Sequence, residues 1–191
     1  MANKQPDQNP HDRPVLVDPP VVLVDENDHE TGVIGKLAAH QDGGMLHRAF
    51  SIFIFHVDGR VLLQHRSPSK YHFGGLWTNA CCGHAAPGEL LESSATLRLW
   101  QEMRISAQLT EVGTFQYTAS DVVSGLTERE IDHVFIATTV DAPTPDPTEA
   151  DDWKWITLDD LDHALTASPS DFTPWLPRGL EIVRLAMATT P

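Results

Sequence analysis

The chain has 191 residues, 41% of them hydrophobic, enough for one domain with a sizeable core. Thirteen Lys and Arg stand against 27 Asp and Glu, a net charge of −14, which argues against nonspecific adhesion to DNA, RNA or an anionic membrane. No run approaches the ~20 apolar residues of a membrane helix, no secretory signal opens the chain, and Cys81 and Cys82 are neighbours that offer no disulfide framework; a soluble, cytoplasmic protein is expected.

Residues 1–18 are polar and proline-rich and read as a disordered leader; residues 19–191 read as a single domain. Order begins at a short strand, Val21–Asp25. The runs 50–57 and 60–65 flank Asp58-Gly59, a hairpin pattern suited to a tight primed turn. Residues 88–104 place Leu91, Ala95, Leu99 and Met103 four apart, the stripe of an amphipathic helix. Glu89 and Glu92 suit its positive N-terminus. Strands follow at 111–119, 130–140 and 153–157, with a proline-rich acidic loop at 142–152 and closing helices at 158–168 and 176–188. Strands on both sides of a central helix imply an α/β or α+β sandwich.

Three of the ten histidines stand out by position: His40 in GKLAAH, His47 in MLHRAF and His84 in NACCGH. Imidazole suits Zn, Mn or Fe, yet each histidine taken singly reads as a surface or satisfied core residue. Glu128 and Glu130 lie two apart at the start of a strand, so they share a face. Carboxylates that close need a cation or a shared proton; a solvated strand end is the plainer alternative. Cys82 lies two residues from His84, with Gly83 allowing a sharp turn. A nearby cation would lower the thiol pKa, whereas a lone cysteine is otherwise a small buried hydrophobe. Lys36, Arg66, Lys70 and Arg98 are scarce cations near these segments. They read either as a pocket for a small anion such as a diphosphate or as ordinary surface charge.

Taken together, GKLAAH, LHRAFS, WTNACCGH, APGE, the helix holding Glu102, and EREIDHVF resemble the type I isopentenyl-diphosphate delta-isomerases. The resemblance runs from about Val21 to about Trp175 in family order, and WTNxxCGH with a downstream ExE is specific. It implies a Nudix fold, a mixed sheet sandwiched between helices. It further implies one divalent ion (Mn²⁺, Zn²⁺ or Mg²⁺) on His40, His47, His84, Glu128 and Glu130, with Cys82, Glu130 and Tyr117 catalytic. Glu102 resembles the ligand of a second ion, Mg²⁺, that also touches the substrate diphosphate. Lys36, Arg66, Lys70 and Arg98 match diphosphate contacts, and Trp175 an aromatic facing the isoprenoid carbons. No flavin, nucleic acid or membrane is implied, and a monomer or weak dimer is expected.

The implied reaction protonates an unactivated alkene and removes a proton from C2 through an intermediate with tertiary carbocation character. It requires a dry site, an aromatic face, and an acid and a base on opposite sides. Glu130 with Tyr117 would supply the proton at C4, and a Cys82 thiolate would remove the one at C2. Departures from the Nudix signature are confined to the later helix: Gly83, Glu89 and Glu102 are kept, Gln101 replaces a glutamate, and Arg104 replaces a terminal glycine. Two rival readings follow, a Nudix diphosphate hydrolase and a non-catalytic metal-binding module.

Overall fold

A computed structural model describes residues 18–189. The expected leader lies outside the described residues except for Asp18, which belongs to the fold: its Oδ1 accepts the Leu37 N–H at 2.9 Å. The chain runs β1 (Pro20–Val24), β2 (Glu30–Gly35), α1 (Lys36–Ala39), β3 (His47–His56), β4 (Val61–Arg66), β5 (Trp77–Thr78), β6 (Cys81–Gly83), α2 (Leu91–Met103), β7 (Thr110–Ser120), β8 (Thr127–Thr139), β9 (Ala150–Ile156), α3 (Leu158–Ala167) and α4 (Leu176–Thr189). The expected strands and the three long helices are all present. β2, α1, β5 and β6 are additions: β5 and β6 are only two and three residues long, and β2 has no buried residue, carries Gly32 and Gly35 and pairs only with β1, so it lacks the alternation that marks a half-buried strand.

β3 is the hub of the sheet. It runs parallel to β8 along its whole length, from His47 opposite Glu130 to His56 opposite Thr139. On its other side it pairs antiparallel with β6, Ser51 opposite Cys82. The expected hairpin between β3 and β4 is therefore short: they meet at one ladder pair, Phe55 and Val61, and β4 turns away to pair with β9. Its turn is not primed, because Val57 and Asp58 keep negative φ and only Gly59, at φ 89°, is left-handed.

Helices cover both faces. Phe50, Ile52, Ile54, Leu62 and Cys81 pack with Ala95, Leu99 and Met103 of α2. Phe53, Phe55, Leu63 and Val134 pack with Leu161 of α3 and Leu176, Leu180 and Val183 of α4. Alternation along β3 thus feeds two apolar layers. Towards the N-terminal ends of β3 and β8 the α4-side face turns polar. Below Phe53 come Ser51, Ala49 and His47; below Val134 come Asp132, Glu130 and Glu128. The acidic loop is not free, because Thr144 and Asp146 donate their N–H groups to the carbonyls of Met103 and Glu102 at 2.9 and 2.8 Å. These caps satisfy the end of α2, and they lead into β9 three residues earlier than expected.

Candidate active site and metal centre

Glu130 sits in register between two neighbours, Tyr117 on β7 and His47 on β3. The Tyr117 hydroxyl donates to its Oε2 at 2.5 Å, and His84 Nε2 lies 2.8 Å from its Oε1. His47 Nε2 stands 3.2 Å from Glu130 Oε1 and 3.1 Å from His84 Nε2. His40, just after α1, has its Nε2 2.6 Å from Glu128 Oε2. All five ligand atoms lie within 4.8 Å of one another, among residues that are buried or nearly so.

The donor set fits a divalent cation. His40 and His47 each donate Nδ1–H to a backbone carbonyl, Lys36 O at 2.5 Å and Met45 O at 2.8 Å. A neutral ring is then left with a lone pair at Nε2, and both lone pairs face carboxylate oxygens. A metal ion resolves that opposition, and the carbonyl bonds are the orienting contacts ligating histidines usually have. Burial opposes charge on His47, but Glu130 outweighs it and raises the pKa. Burial, then Lys36 and His47, push His84 well below the ordinary histidine range. Burial and Glu130 oppose ionisation of Glu128, yet hydrogen bonds from His40 and His72 lower it to about 2. Burial likewise opposes ionisation of Glu130, which His47 and Tyr117 hold well below the carboxylate range.

Cys81 and Cys82 point to opposite faces, as alternation requires. Cys81 is fully buried under α2, while Cys82 lines a cavity of about 630 Å³ with His84, Tyr117, Glu128, Glu130 and Trp175. Its sulfur is held by Asn79, whose Nδ2 donates at 3.2 Å, and lies 3.5 Å from Ser51 Oγ, which donates to Asp132 Oδ2 at 2.7 Å. Burial and Asp132 push its pKa up to about 12, against the hydrogen bonds with Ser51 and Asn79. Asp132 is also raised, by burial and by Glu130. Gly83 does not provide a sharp turn either; it is strand backbone, and a Cβ there would come within 2.8 Å of the Phe50 ring.

The basic residues converge on the same cavity, where Lys36, Arg66, Lys70 and Arg98 all line the wall. Arg66 is fixed by bonds to Phe73 O at 2.9 Å and His72 O at 3.1 Å, and its guanidinium lies 5.4 Å from the Trp175 ring centre. Trp175 is 3% exposed and faces Tyr117 and Phe73, an aromatic wall. Glu102 is 2% exposed behind Arg98, paired to that guanidinium and to Gln64 Nε2 at 3.2 Å, and is not among the residues that line the cavity. Among the described residues Gln64 Oε1 has no hydrogen-bond partner.

Five polar groups here went unassigned in the sequence: Ser51, His72, Asn79, Asp132 and Glu149. Asp132 was discoverable, since it continues the two-residue period of Glu128 and Glu130. Asn79 stands inside WTNACCGH. His72, which bonds Glu128 Oε1, and Glu149, which pairs with Lys70 and Arg98, carry no local signal.

The family model for a NUDIX domain matches residues 45–176. An isopentenyl-diphosphate Delta-isomerase of Nocardia farcinica is 47% identical over 167 residues, 87% of this chain and 95% of that protein. One from Serratia proteamaculans is 45% identical over 159 residues, 83% of this chain and 88% of that protein. Among solved structures, a Deinococcus radiodurans protein superposes with a TM-score of 0.69 at 17% identity, covering 86% of this chain and 98% of that one. The last likeness shows the fold alone. With the family model covering most of the chain and such relatives matching nearly end to end, this chain belongs to the Nudix superfamily and, within it, to the isopentenyl-diphosphate Delta-isomerases.

Proposed function

We propose that the protein is an isomerase that moves the double bond of isopentenyl diphosphate to give dimethylallyl diphosphate. The observation that carries this reading is the joining, in one cavity, of a thiol, a tyrosine–carboxylate pair, an aromatic wall and four basic side chains. Lys36, Arg66, Lys70 and Arg98 hold the diphosphate. Trp175 lies against the isoprenoid carbons, where its ring face lowers the energy of developing positive charge, and its burial excludes water. Along the sheet, Cys82 and Tyr117 are separated by β3 and β8, three strand spacings or about 14 Å across the strands, and by a further four residues along them. A short alkene chain between them is approached from both ends.

His40, His47, His84, Glu128 and Glu130 would hold a divalent metal ion, whose charge would offset the repulsion between the two carboxylates. Tyr117, with Glu130, delivers a proton to C4; Cys82, as thiolate, takes one from C2. One proton enters and one leaves, so the turnover balances. It ends with the proton on sulfur and an ionised carboxylate, so a proton must return to the Tyr117 side before the next forward turnover. Ser51 and Asp132 form a hydrogen-bonded link from the sulfur towards that side. A second ion, Mg²⁺, would accompany the diphosphate beside Arg98, whose guanidinium pairs with both Glu102 and Glu149. No flavin takes part, and the enzyme acts in the cytoplasm as a monomer or weak dimer.

Incubation with isopentenyl diphosphate tests the reading. Dimethylallyl diphosphate should form with no phosphate released. Release of inorganic phosphate would mark a Nudix hydrolase instead, and neither product would mark a binding module. Gln101, which lines the cavity where hydrolases of this fold carry a glutamate, favours isomerisation.

A further inference from the structure

We propose that Glu149 makes the diphosphate end of the cavity accept diphosphate together with its Mg²⁺ and disfavour the metal-free anion. The inference rests on the reading of Lys70 and Arg98 as diphosphate contacts, and it assigns a specificity role to a residue outside that set.

Glu149 is the last residue before β9, and its backbone is clamped on both sides. Its carbonyl accepts from Ser67 N at 2.9 Å and its N–H donates to Asp146 O at 2.9 Å, while Asp146 N–H is tied to Glu102 O at 2.8 Å. The side chain is thereby suspended between the 67–70 turn and α2. One oxygen pairs with Lys70 Nζ, and the other lies 3.1 Å from Arg98 Nη2. Of the two carboxylates on Arg98, Glu149 is the one that lines the cavity; Glu102 lies behind the guanidinium. A carboxylate of the chain itself therefore occupies the place where an incoming phosphate would meet both cations.

Charge then decides what can displace it. Lys70 and Arg98 carry two positive charges, already matched by Glu102 and Glu149. A metal-free diphosphate must break two ion pairs and leave the Glu149 carboxylate facing a polyanion in a partly desolvated pocket. The Mg²⁺ complex brings the compensating cation with it: Lys70 and Arg98 pass to the phosphate oxygens, and Glu149 faces the ion or its bound water. Discrimination comes from an unpaired charge raised against the wrong ligand form.

Calorimetric titration with inorganic pyrophosphate, with and without saturating Mg²⁺, tests this without turnover. The wild-type protein should bind pyrophosphate about tenfold or more tightly when Mg²⁺ is present, a difference of about 1.4 kcal/mol. Glu149→Gln should bind metal-free pyrophosphate about tenfold more tightly than wild type and lose most of the Mg²⁺ effect. Glu149→Asp, which keeps the charge, should retain that effect. Glu149→Ala keeps the backbone clamp and must shift in the same direction as Glu149→Gln, so a poorly folding glutamine variant does not shield the proposal. Unchanged Mg²⁺ dependence in Glu149→Gln and Glu149→Ala, or weaker metal-free binding, overturns the role of Glu149 alone. If wild type binds no pyrophosphate even with Mg²⁺, the diphosphate reading of this end falls, and the proposal falls with it.

Discussion

The two ends of the cavity are built in opposite ways. At the His/Glu end the functional groups are short side chains on or beside paired strands: His47 and Glu130 are register partners on β3 and β8, and His84 follows β6. They are at most 11% exposed, and the rings of His40 and His47 are aimed by backbone carbonyls. At the diphosphate end Lys70 and Arg98 reach in from a turn and from α2 on long stems, 21% and 32% exposed, with Glu149 as their present partner. The first end is preorganised by register and tolerates no loss. The second is assembled from several flexible charges, so each removal is graded. On the proposed reading, chemistry belongs to the rigid end and affinity to the adaptable one.

The sharpest way to break this comparison is to remove the metal. Protein depleted below about one divalent ion per ten chains should lose isomerase activity and regain it on adding metal; full activity in depleted protein would reduce the His/Glu end to a structural cluster. Next comes the pair of adjacent cysteines. Cys82→Ala should lower the rate by roughly 10³-fold or more with metal content unchanged, and Cys82→Ser should keep a trace. Cys81→Ala should keep most activity and lose on the order of 1 kcal/mol of stability from its buried site. An inactive Cys81→Ala beside an active Cys82→Ala would invert the register of the site.

At the adaptable end the effects are smaller. Arg66→Ala and Lys70→Ala should act chiefly on KM, each losing about 1.5–3 kcal/mol of charge-assisted bonding, and Glu102→Gln should blunt the Mg²⁺ response. Unchanged KM in both basic variants would place the diphosphate elsewhere. A pH series sharpens the same contrast. Burial opposes ionisation of Glu149, but Arg98 and Lys70 outweigh it and hold the carboxyl at about 2, below its ordinary 4.5. A lowered pKa contributes stability that is present above about 4.5 and is lost as pH falls towards 2. The melting difference between wild type and Glu149→Gln, on the order of 1–2 kcal/mol near neutral pH, should therefore shrink on acidification below about 4.5. A difference that grows there would contradict the ion pairs. The smallest effect lies at the end of α2, where Arg104 takes a left-handed φ of 56° in place of the usual glycine. Arg104→Gly should gain about 0.5–1 kcal/mol in a thermal melt, less whatever its contact with Trp100 contributes.

Local period accounts for what was legible. Two-residue alternation put Glu128 with Glu130, and Cys82 on the opposite face from Cys81, before any partner strand was known. The four-residue stripe of α2 likewise matches its buried positions Ala95, Leu99 and Met103. The motif resemblance then assigned chemistry to those faces. Tertiary structure decided which strand lies beside which. A strong turn signal at Asp58-Gly59 produced only one ladder pair, because β6 takes the same edge of β3 at Phe50–Ile52 and β4 turns away to pair with β9. His40 meets Glu128 across 88 residues, and Ser51 meets Asp132 across 81; no local pattern encodes such pairs, since they depend on sheet register. Protonation also waited for the fold. In sequence Cys82 read either as a thiol that a nearby cation would ionise or as a small buried hydrophobe; in the fold, burial and Asp132 raise its pKa, and desolvation is a property of everything packed around a group rather than of its neighbours in the chain.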